Sequence, residues 1–170
     1  MTHSCAASRI KHLATLKRPF HFADSGLSDV YLVGITFYTC KCGRTTADIP
    51  AITDLMEFVA RDLLVKKASL AGEEIRFLRK RLGKKQVDFA HEIGIEPETL
   101  NRYEKGKLAL SEPSDKLIRL YYLTFSSDPK LERVRKVLLG QLAGWSTTEQ
   151  PKKIVAKKTA NDAWEEVVAG

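Results

Sequence analysis

The amino-acid sequence predicts an α+β fold that is mostly α, with its strands close to the N-terminus. Two observations lead to this prediction. Residues 30–39, VYLVGITFYT, are rich in β-branched and aromatic side chains, which favour a pleated sheet. From residue 52 onward, apolar side chains recur at the spacing of amphipathic helices, and Gly, Pro and Asp divide these helices into short units.

Residues 1–49 are predicted to form a small β module. Its turn signals are Asp-Ser-Gly before the apolar stretch and Lys-Cys-Gly-Arg after it, and Gly34 marks a bulge or a hairpin turn between them. The segment TADIP at residues 46–50 is typical of a short return strand. A linking helix follows over residues 50–68, where an apolar stripe that begins at Ile52 has helical spacing. Core packing is the plainer interpretation of that stripe, and a share in a dimer interface is the alternative.

Residues 69–144 have the pattern of five short helices joined by tight turns, and they are predicted to form the second domain. In the segment SDKLIRLYYLTF, Leu117, Leu120 and Tyr121 are expected to face the core. Residues 145–170 are polar and have no long apolar stripe. We therefore expect a flexible tail, with a short helix around Trp164.

The composition favours a polyanionic partner and argues against a membrane span. The formal net charge is +7 and the pI is about 9.3, and residues 76–85 contain six Arg or Lys side chains and no acidic one. A basic surface attracts nucleic acid, although many basic proteins bind none. No apolar run approaches the roughly 18–20 residues that a transmembrane helix needs, and no signal-peptide core follows the N-terminus. These features predict a cytoplasmic protein.

The stretch LGKKQVDFAHEIGIEPETLNRYEKGK, residues 82–107, has the pattern of two short helices joined by a bend. The first helix is predicted over residues 85–93 and the second over residues 97–105. Gly94 can adopt the left-handed conformation that ends a helix sharply, and Pro97 is preorganised for a first helical position. Two helices joined by a short turn that contains glycine form a helix-turn-helix.

The outward face of the second helix carries the polar side chains that read DNA. Thr, Asn and Arg side chains reach base edges in the major groove, whereas Lys side chains bind phosphates. The predicted DNA-binding set consists of Lys85, Gln86, Thr99, Asn101, Arg102, Lys105 and Lys107. The plainer alternative is a helical bundle with a basic face. The turn chemistry, the inward apolar residues and the outward polar residues agree with each other, and this agreement favours DNA binding.

The residues LRKRLGKKQVDFAHEIGIEPETLNRYEKGK resemble the lambda-repressor-like, or XRE/Cro, family of helix-turn-helix domains. The resemblance covers about residues 70–125. It implies a five-helix lambda-repressor-like domain that binds double-stranded DNA as a homodimer, with a palindromic operator whose half-sites lie about one helical turn apart. It also implies that Arg79 pairs with Glu104, as a structural pair rather than a DNA contact.

A second resemblance concerns the N-terminal part of the chain. The segment SGLSDVYLVG, followed by a cysteine turn and IPAITDLMEFVA, is similar to the N-terminal module of MqsA-type antitoxins, the YgiT-type zinc-finger family, over about residues 20–66. In that family a small β domain with two Cys-x-x-Cys pairs precedes an XRE-type domain, and the order is the same in this chain. The resemblance implies the antitoxin of a type II toxin–antitoxin system that represses its own operon. Its β module or its tail would bind the cognate toxin, a ribonuclease or another translation inhibitor.

The cysteines depart from the pattern of that family. Cys40 and Cys42 are separated only by Lys41, and of the N-terminal pair only Cys5 is present. Structural zinc normally has four ligands in paired spacing, so we favour a metal-free module and predict no cofactor. A zinc site of three cysteines and a histidine is the alternative, and a tight turn with one buried thiol is the plainest interpretation. An odd number of cysteines in a reducing compartment argues against a disulfide framework.

The sequence contains no catalytic constellation that would indicate an enzyme. It has no phosphate-binding glycine loop, no Gly-x-Ser-x-Gly elbow and no His-Glu-x-x-His motif. The first functional hypothesis is therefore a sequence-specific repressor that is also an antitoxin. The second is a stand-alone XRE-family regulator whose N-terminal module senses a ligand or a metal. The third, an enzyme with an accessory DNA-binding domain, would require a catalytic cluster that the sequence does not contain.

Overall fold

The computed structural model describes residues 9–141, 153–160 and 163–167, with side chains of the last helix described as far as Leu138. Within these residues the chain forms seven strands and six α-helices, which confirms the predicted α+β, mostly α, class. In chain order the elements are β1 (Arg9–Leu13), β2 (Phe20–His21), β3 (Val30–Val33), β4 (Thr36–Cys40), β5 (Thr45–Asp48), α1 (Ile52–Val65), α2 (Gly72–Arg81), α3 (Gln86–Glu92), α4 (Pro97–Glu104), α5 (Glu112–Phe125), α6 (Leu131–Gln141), β6 (Ile154–Lys158) and β7 (Trp164–Glu166).

The chain divides into two compact units, each of which is built from separated stretches of sequence. The strand unit takes its described residues from 9–23, 29–58, 153–160 and 163–167, and the helical unit takes them from 24–28 and 59–141. Helix α1 begins in the strand unit and ends in the helical unit. No helix among the described residues is both long enough and apolar enough to cross a membrane.

The strand unit contains two sheets. One has the strand order β1-β4-β5 and is antiparallel throughout, and the other has the order β2-β3-β6-β7. Gly34 lies between β3 and β4 with φ +77°, and the two strands that it joins belong to different sheets. The predicted bulge or hairpin at Gly34 is therefore a crossing from one sheet to the other. The predicted return strand is confirmed, because β5 pairs with β4 across the turn at residues 41–44.

The prediction of a flexible C-terminal tail is wrong for residues 153–160 and 163–167. Strand β6 pairs in parallel with β3, and Trp164 lies in strand β7 rather than in a helix. Ile154 and Ala156 are both buried on β6, so this strand completes the core beside β3. A strand of five residues is too short to produce a clear sequence period, and its pairing partner lies far away in the chain. The rest of the predicted tail lies outside the described residues.

The helical unit packs around apolar side chains from α1 to α6. The stripe on α1 is mainly core, as predicted, while Ile52 is exposed. Its buried residues are Leu55 in the strand unit and, in the helical unit, Val59, Ala60, Leu63 and Leu64. The side chains that are almost completely buried in the other helices include Ile75, Leu78, Phe89, Ala90, Leu100, Ile118, Leu131 and Leu138.

The predicted inward face of α5 is wrong. Leu117 is 41% exposed and Leu120 and Tyr121 are only half-buried. The buried residues are Ile118, Tyr122 and Leu123. The core face of α5 also carries two charged residues, Asp115 and Arg119, each only 1% exposed. The pattern of apolar residues alone assigns the wrong face of α5 to the core, because charged residues such as Asp115 and Arg119 are then expected on the exposed face.

Arg119 links α5 to the end of α1. Its guanidinium donates to both carboxylate oxygens of Asp115, the nearer at 2.7 Å. It also donates to four backbone carbonyl oxygens at 2.7–3.0 Å, those of Leu63, Leu64, Lys66 and Ala68. The last carbonyls of a helix have no partner within the helix. Arg119 therefore satisfies the C-terminal end of α1, and its own buried charge is balanced by Asp115.

Candidate nucleic-acid interface

Helices α3 and α4 are joined by the predicted bend. Gly94 has φ +66°. Its N–H donates to the His91 carbonyl at 3.1 Å, and the N–H of Ile95 donates to the Ala90 carbonyl at 2.9 Å. These two bonds define a Schellman motif, in which a left-handed residue ends the helix and satisfies its last carbonyls. The predicted helix-turn-helix is confirmed, with both helices within one residue of their expected ends.

The start of α2 packs against the end of α4 through a close backbone approach. A Cβ atom on Gly72 would lie 2.4 Å from the carbonyl oxygen of Tyr103 and 2.7 Å from that of Glu104. Real Cβ contacts are not this short, so only glycine fits at this position without displacement of the backbone. Sequence reasoning missed the role of Gly72, because the neighbour that requires it is distant in sequence.

One buried carboxylate connects α2, α3 and α4. Glu104 at the end of α4 accepts from Nε of Arg79 at 2.6 Å and from Nη2 of the same side chain at 2.9 Å. Gln86 at the start of α3 donates its amide N–H to Glu104 at 2.9 Å. The Arg76 guanidinium on α2 donates to the Glu104 backbone carbonyl at 2.8 Å. The implied pair of Arg79 and Glu104 is therefore confirmed, and it belongs to a larger network.

The network sets the position of α4 relative to the two preceding helices. Arg79 and Glu104 are 8% and 4% exposed, and Arg79 also donates to the Lys84 carbonyl at 2.8 Å. A two-pronged contact between a guanidinium and a carboxylate has a defined orientation as well as a favourable energy. Because Leu100 and Tyr103 are buried on the inner side of α4, the opposite side of this helix faces solvent.

The predicted DNA-binding side chains occupy three neighbouring places on the helical unit. Two lie at the start of α3, three on α4 and two after the end of α4. Lys85, Arg102, Lys105 and Lys107 are exposed, and Gln86, Thr99 and Asn101 are half-buried. The assignment of these residues to DNA stays a prediction. For Gln86 the structure adds a second role, since its amide also ties α3 to Glu104.

A second polar cluster, which sequence reasoning did not identify, ties α3 to α5. Lys84 donates to the Glu92 carboxylate at 2.7 Å, and the Tyr121 hydroxyl donates to the other oxygen of the same carboxylate. The Lys84 ammonium, followed by the Tyr121 hydroxyl, lowers the pKa of Glu92. The Tyr121 ring also meets Phe89 edge-on, with 5.2 Å between the ring centroids. The contacts of Tyr121 at this cluster explain why it does not enter the core.

The candidate zinc ligands are not brought together by the described part of the chain. Cys40 ends β4 and is half-buried, and Cys42 is exposed in the turn that follows. Among the described residues, no group of three or more His, Cys, Asp or Glu side chains could hold a metal ion, and Cys5 lies outside those residues. Two thiols supply half of the ligands that structural zinc requires, so we derive no role for zinc.

Comparison with known proteins identifies the segment that contains this site. Residues 75–120 match the family model described as helix-turn-helix, which spans α3, α4 and most of α2 and α5. Residues 75–120 are a helix-turn-helix domain. Comparisons with curated proteins and with solved structures give no match.

The helix-turn-helix match supports a general function. It supports a DNA-binding transcriptional regulator with a domain of the XRE family, and double-stranded DNA as its partner. The helix-turn-helix domain is a DNA-binding regulatory family rather than an enzyme family. The resemblance of residues 70–125 to XRE/Cro domains is thereby confirmed over the matched residues.

Glu104→Gln is expected to destabilise the helical unit while preserving the shape of the side chain. It removes the negative charge that balances Arg79 in a buried site, and the loss of one partner of a buried pair costs about 3 kcal/mol or more of unfolding free energy. Urea denaturation, followed by circular dichroism, measures this change. Glu132→Gln is the matched control, because Glu132 forms an exposed pair with Arg135, which is worth about 1 kcal/mol or less. Equal losses for the two variants would show that Glu104 does not organise the unit.

Proposed function

We propose that this protein is a sequence-specific transcriptional repressor that binds a palindromic operator as a homodimer, and that it is the antitoxin of a type II toxin–antitoxin system that represses its own operon. The observation that supports operator binding is the outward polar face of α4, which the Glu104 network and the bend at Gly94 hold away from the core. A short helix presented in this way fits the major groove of B-form DNA.

Each side chain of the proposed interface has a role that follows from its chemistry and exposure. Arg102 is exposed on α4, so its guanidinium can donate two hydrogen bonds to the major-groove edge of a guanine. Asn101 and Thr99 beside it suit adenine or the thymine methyl group. The exposed carboxylate of Glu98 would be repelled by phosphates, so we assign it to a cytosine amine.

The remaining members of the set are proposed to bind the DNA backbone. Lys105 and Lys107 lie after the end of α4, and Lys85 lies immediately before α3. Their ammonium groups are suited to phosphates, which give affinity and register but carry no sequence information. Gln86 is placed with them, as a neutral donor to a phosphate oxygen.

Arg102→Ala is expected to weaken binding to the operator by about 1–3 kcal/mol, because it removes a contact to a base edge. Binding to scrambled DNA should change much less. Gel shifts with both DNAs at a fixed salt concentration measure the difference, after footprinting of the protein's own promoter has defined the operator. Arg133→Ala, an exposed arginine on α6, is the control. An equal loss on both DNAs would show that Arg102 binds a phosphate.

The dimer is proposed to form through an apolar stripe on α5. Leu117, Tyr121 and Phe125 recur every four residues and therefore lie on one face of the helix. Leu117 and Phe125 are 41% and 59% exposed, and the Tyr121 and Phe125 rings lie against each other with centroids 4.4 Å apart. Two copies that pair on this stripe would each present an α4 to half-sites about 34–36 Å apart.

Phe125→Glu is expected to convert the dimer to a monomer, because it places a charge in the centre of an apolar contact. Sedimentation equilibrium measures the mass, and gel shifts on the full operator should show a corresponding loss of affinity. Ser127→Glu adds the same charge at an exposed position just beyond the stripe, and it should remain dimeric. A dimeric Phe125→Glu protein would exclude this surface.

The antitoxin role rests on the order of the two parts of the chain and on the N-terminal resemblance. An apolar surface in the strand unit adds support. Leu13 at the end of β1 and Leu16 just after it are 63% and 65% exposed, and exposed apolar side chains close together in a chain are typical of protein-binding surfaces. We assign this surface to the toxin.

Co-expression with the product of an adjacent small gene is expected to yield a stable complex. Leu13→Glu combined with Leu16→Glu should abolish the complex but leave operator binding intact, whereas Arg102→Ala should do the opposite. Affinity purification followed by mass measurement tests the first effect, and gel shifts test the second. Failure of the unmodified chain to bind the neighbouring product would reject the antitoxin role and leave DNA repression unaffected.

The alternative function is a stand-alone regulator that senses a small ligand. The observation that favours it is a cleft of about 410 Å³ in the strand unit. Apolar side chains such as Ala14 and Val33 line it, together with Lys157 and Glu165. Both functions share the helix-turn-helix domain and differ in what the strand unit binds.

A further inference from the structure

One face of the sheet formed by β1, β4 and β5 carries a concentration of basic side chains. Residues paired across antiparallel strands point to the same face of a sheet, and alternate residues along each strand share that face. Three rows therefore cross this face side by side. They consist of Arg9, Cys40 and Arg44; then Lys11, Tyr38 and Thr46; and last Leu13, Thr36 and Asp48.

The face that carries these rows is the open side of the sheet. The opposite side holds Phe37, which is buried, and the His12 ring stacks on Phe37 with 5.0 Å between the centroids. On the open side Arg9, Lys11 and Arg44 are exposed. None of the residues in the three rows is buried, so this side adds nothing to the core of the described part of the chain.

The charges on the open side are uncompensated within the described chain. Arg9, Lys11 and Arg44 form no ion pair with a carboxylate of the described residues. The first two rows contain no acid, and Asp48 lies only in the third. Like charges held together destabilise a compact state, so folding stability does not explain the arrangement. A polyanion bound to the face would neutralise it.

An aromatic ring lies between these charges. Tyr38 is on the central strand, next to Lys11 in its own row, and one row away from Arg9 and Arg44. It is partly exposed, and its ring stacks on no other aromatic side chain in the described part of the molecule. Adjacent rows lie about 7 Å apart and neighbouring strands about 5 Å apart, so the Cα atoms of the three cationic residues lie within about 9 Å of that of Tyr38.

We propose that this sheet face binds single-stranded nucleic acid. Cationic side chains that follow a phosphodiester backbone, with an aromatic ring on which a base stacks, are the combination that single-strand binding requires. A duplex offers phosphates but hides the faces of its bases, so it would leave Tyr38 without a partner. The site lies in the strand unit and uses none of the residues assigned to the operator.

Fluorescence anisotropy with the full-length protein tests this site. The probes are labelled oligothymidylate and oligouridylate of about 12 nucleotides, together with a mixed-sequence duplex. The sheet variant carries Lys11→Gln and Arg44→Gln. Its matched control carries Lys17→Gln and Lys153→Gln, which remove two exposed charges of the same unit outside the rows. Circular dichroism melting curves establish that both variants are folded.

The sheet variant is expected to lose at least about fivefold in affinity for a single-stranded probe, and the control less than about twofold. For the sheet variant, the slope of log affinity against log salt concentration should also become shallower by about 1.4, because two contacts to phosphates of a single strand are removed. Tyr38→Ala should weaken binding as the sheet variant does, and Tyr38→Phe should retain it, because stacking needs the ring and not the hydroxyl. Arg102→Ala should leave the affinity for single strands unchanged.

Three results would overturn the proposal. The first is an equal effect of the sheet variant and its control on the single-stranded probes. The second is an equal loss of the sheet variant on duplex and single strands, which would indicate duplex phosphates as the ligand. The third is that polyglutamate displaces the probe as effectively as unlabelled oligonucleotide does, which would indicate an acidic polypeptide partner.

Discussion

The position of helix α4 depends on one buried carboxylate. Glu104 ends α4, and the groups that it binds come from α2 and from the start of α3. A buried carboxylate without partners would be strongly disfavoured, so these helices must assemble in the arrangement that supplies the donors. The polar face of α4 is directed outward as a consequence. In the function that we propose, the side chains that read DNA depend for their position on this buried carboxylate.

A second buried ion pair sets the arrangement of α1, α2 and α5 in the helical unit. Asp115 and Arg119 lie on the inner face of α5, where Arg119 satisfies the last carbonyls of α1 and the segment after it. The N–H of Leu70, just before α2, donates to Asp115 at 2.7 Å. One ion pair thus connects the end of α1, the start of α2 and the body of α5. Because the charges occupy the inner face, the apolar side chains Leu117 and Phe125 are left outside, where we propose that a second copy binds.

The strand unit shows how separated segments of one chain can be combined. Strand β6 comes from the C-terminal part of the sequence and lies beside β3 from the N-terminal part. A parallel pair cannot be joined by a short turn and needs a longer crossover connection. Here the connection contains β4, β5 and all six α-helices. In the other sheet, Arg9 and Lys11 on β1 belong to the basic rows, whereas Leu13 at the end of β1 and Leu16 beyond it are apolar and exposed. We have proposed different partners for these two regions.

The sequence by itself determined the features that depend on neighbouring residues. These are the helical spacing, the sharp bend at Gly94, the polar outward face of α4 and the turn between β4 and β5. The family pattern added the pair of Arg79 and Glu104. Tertiary structure alone decided the features whose cause is distant in the chain: glycine at position 72, the inward face of α5 and the strands near Trp164. The physical reason is that backbone conformation and helix periodicity are local properties, whereas close approach, charge burial and strand pairing depend on partners that only folding brings together.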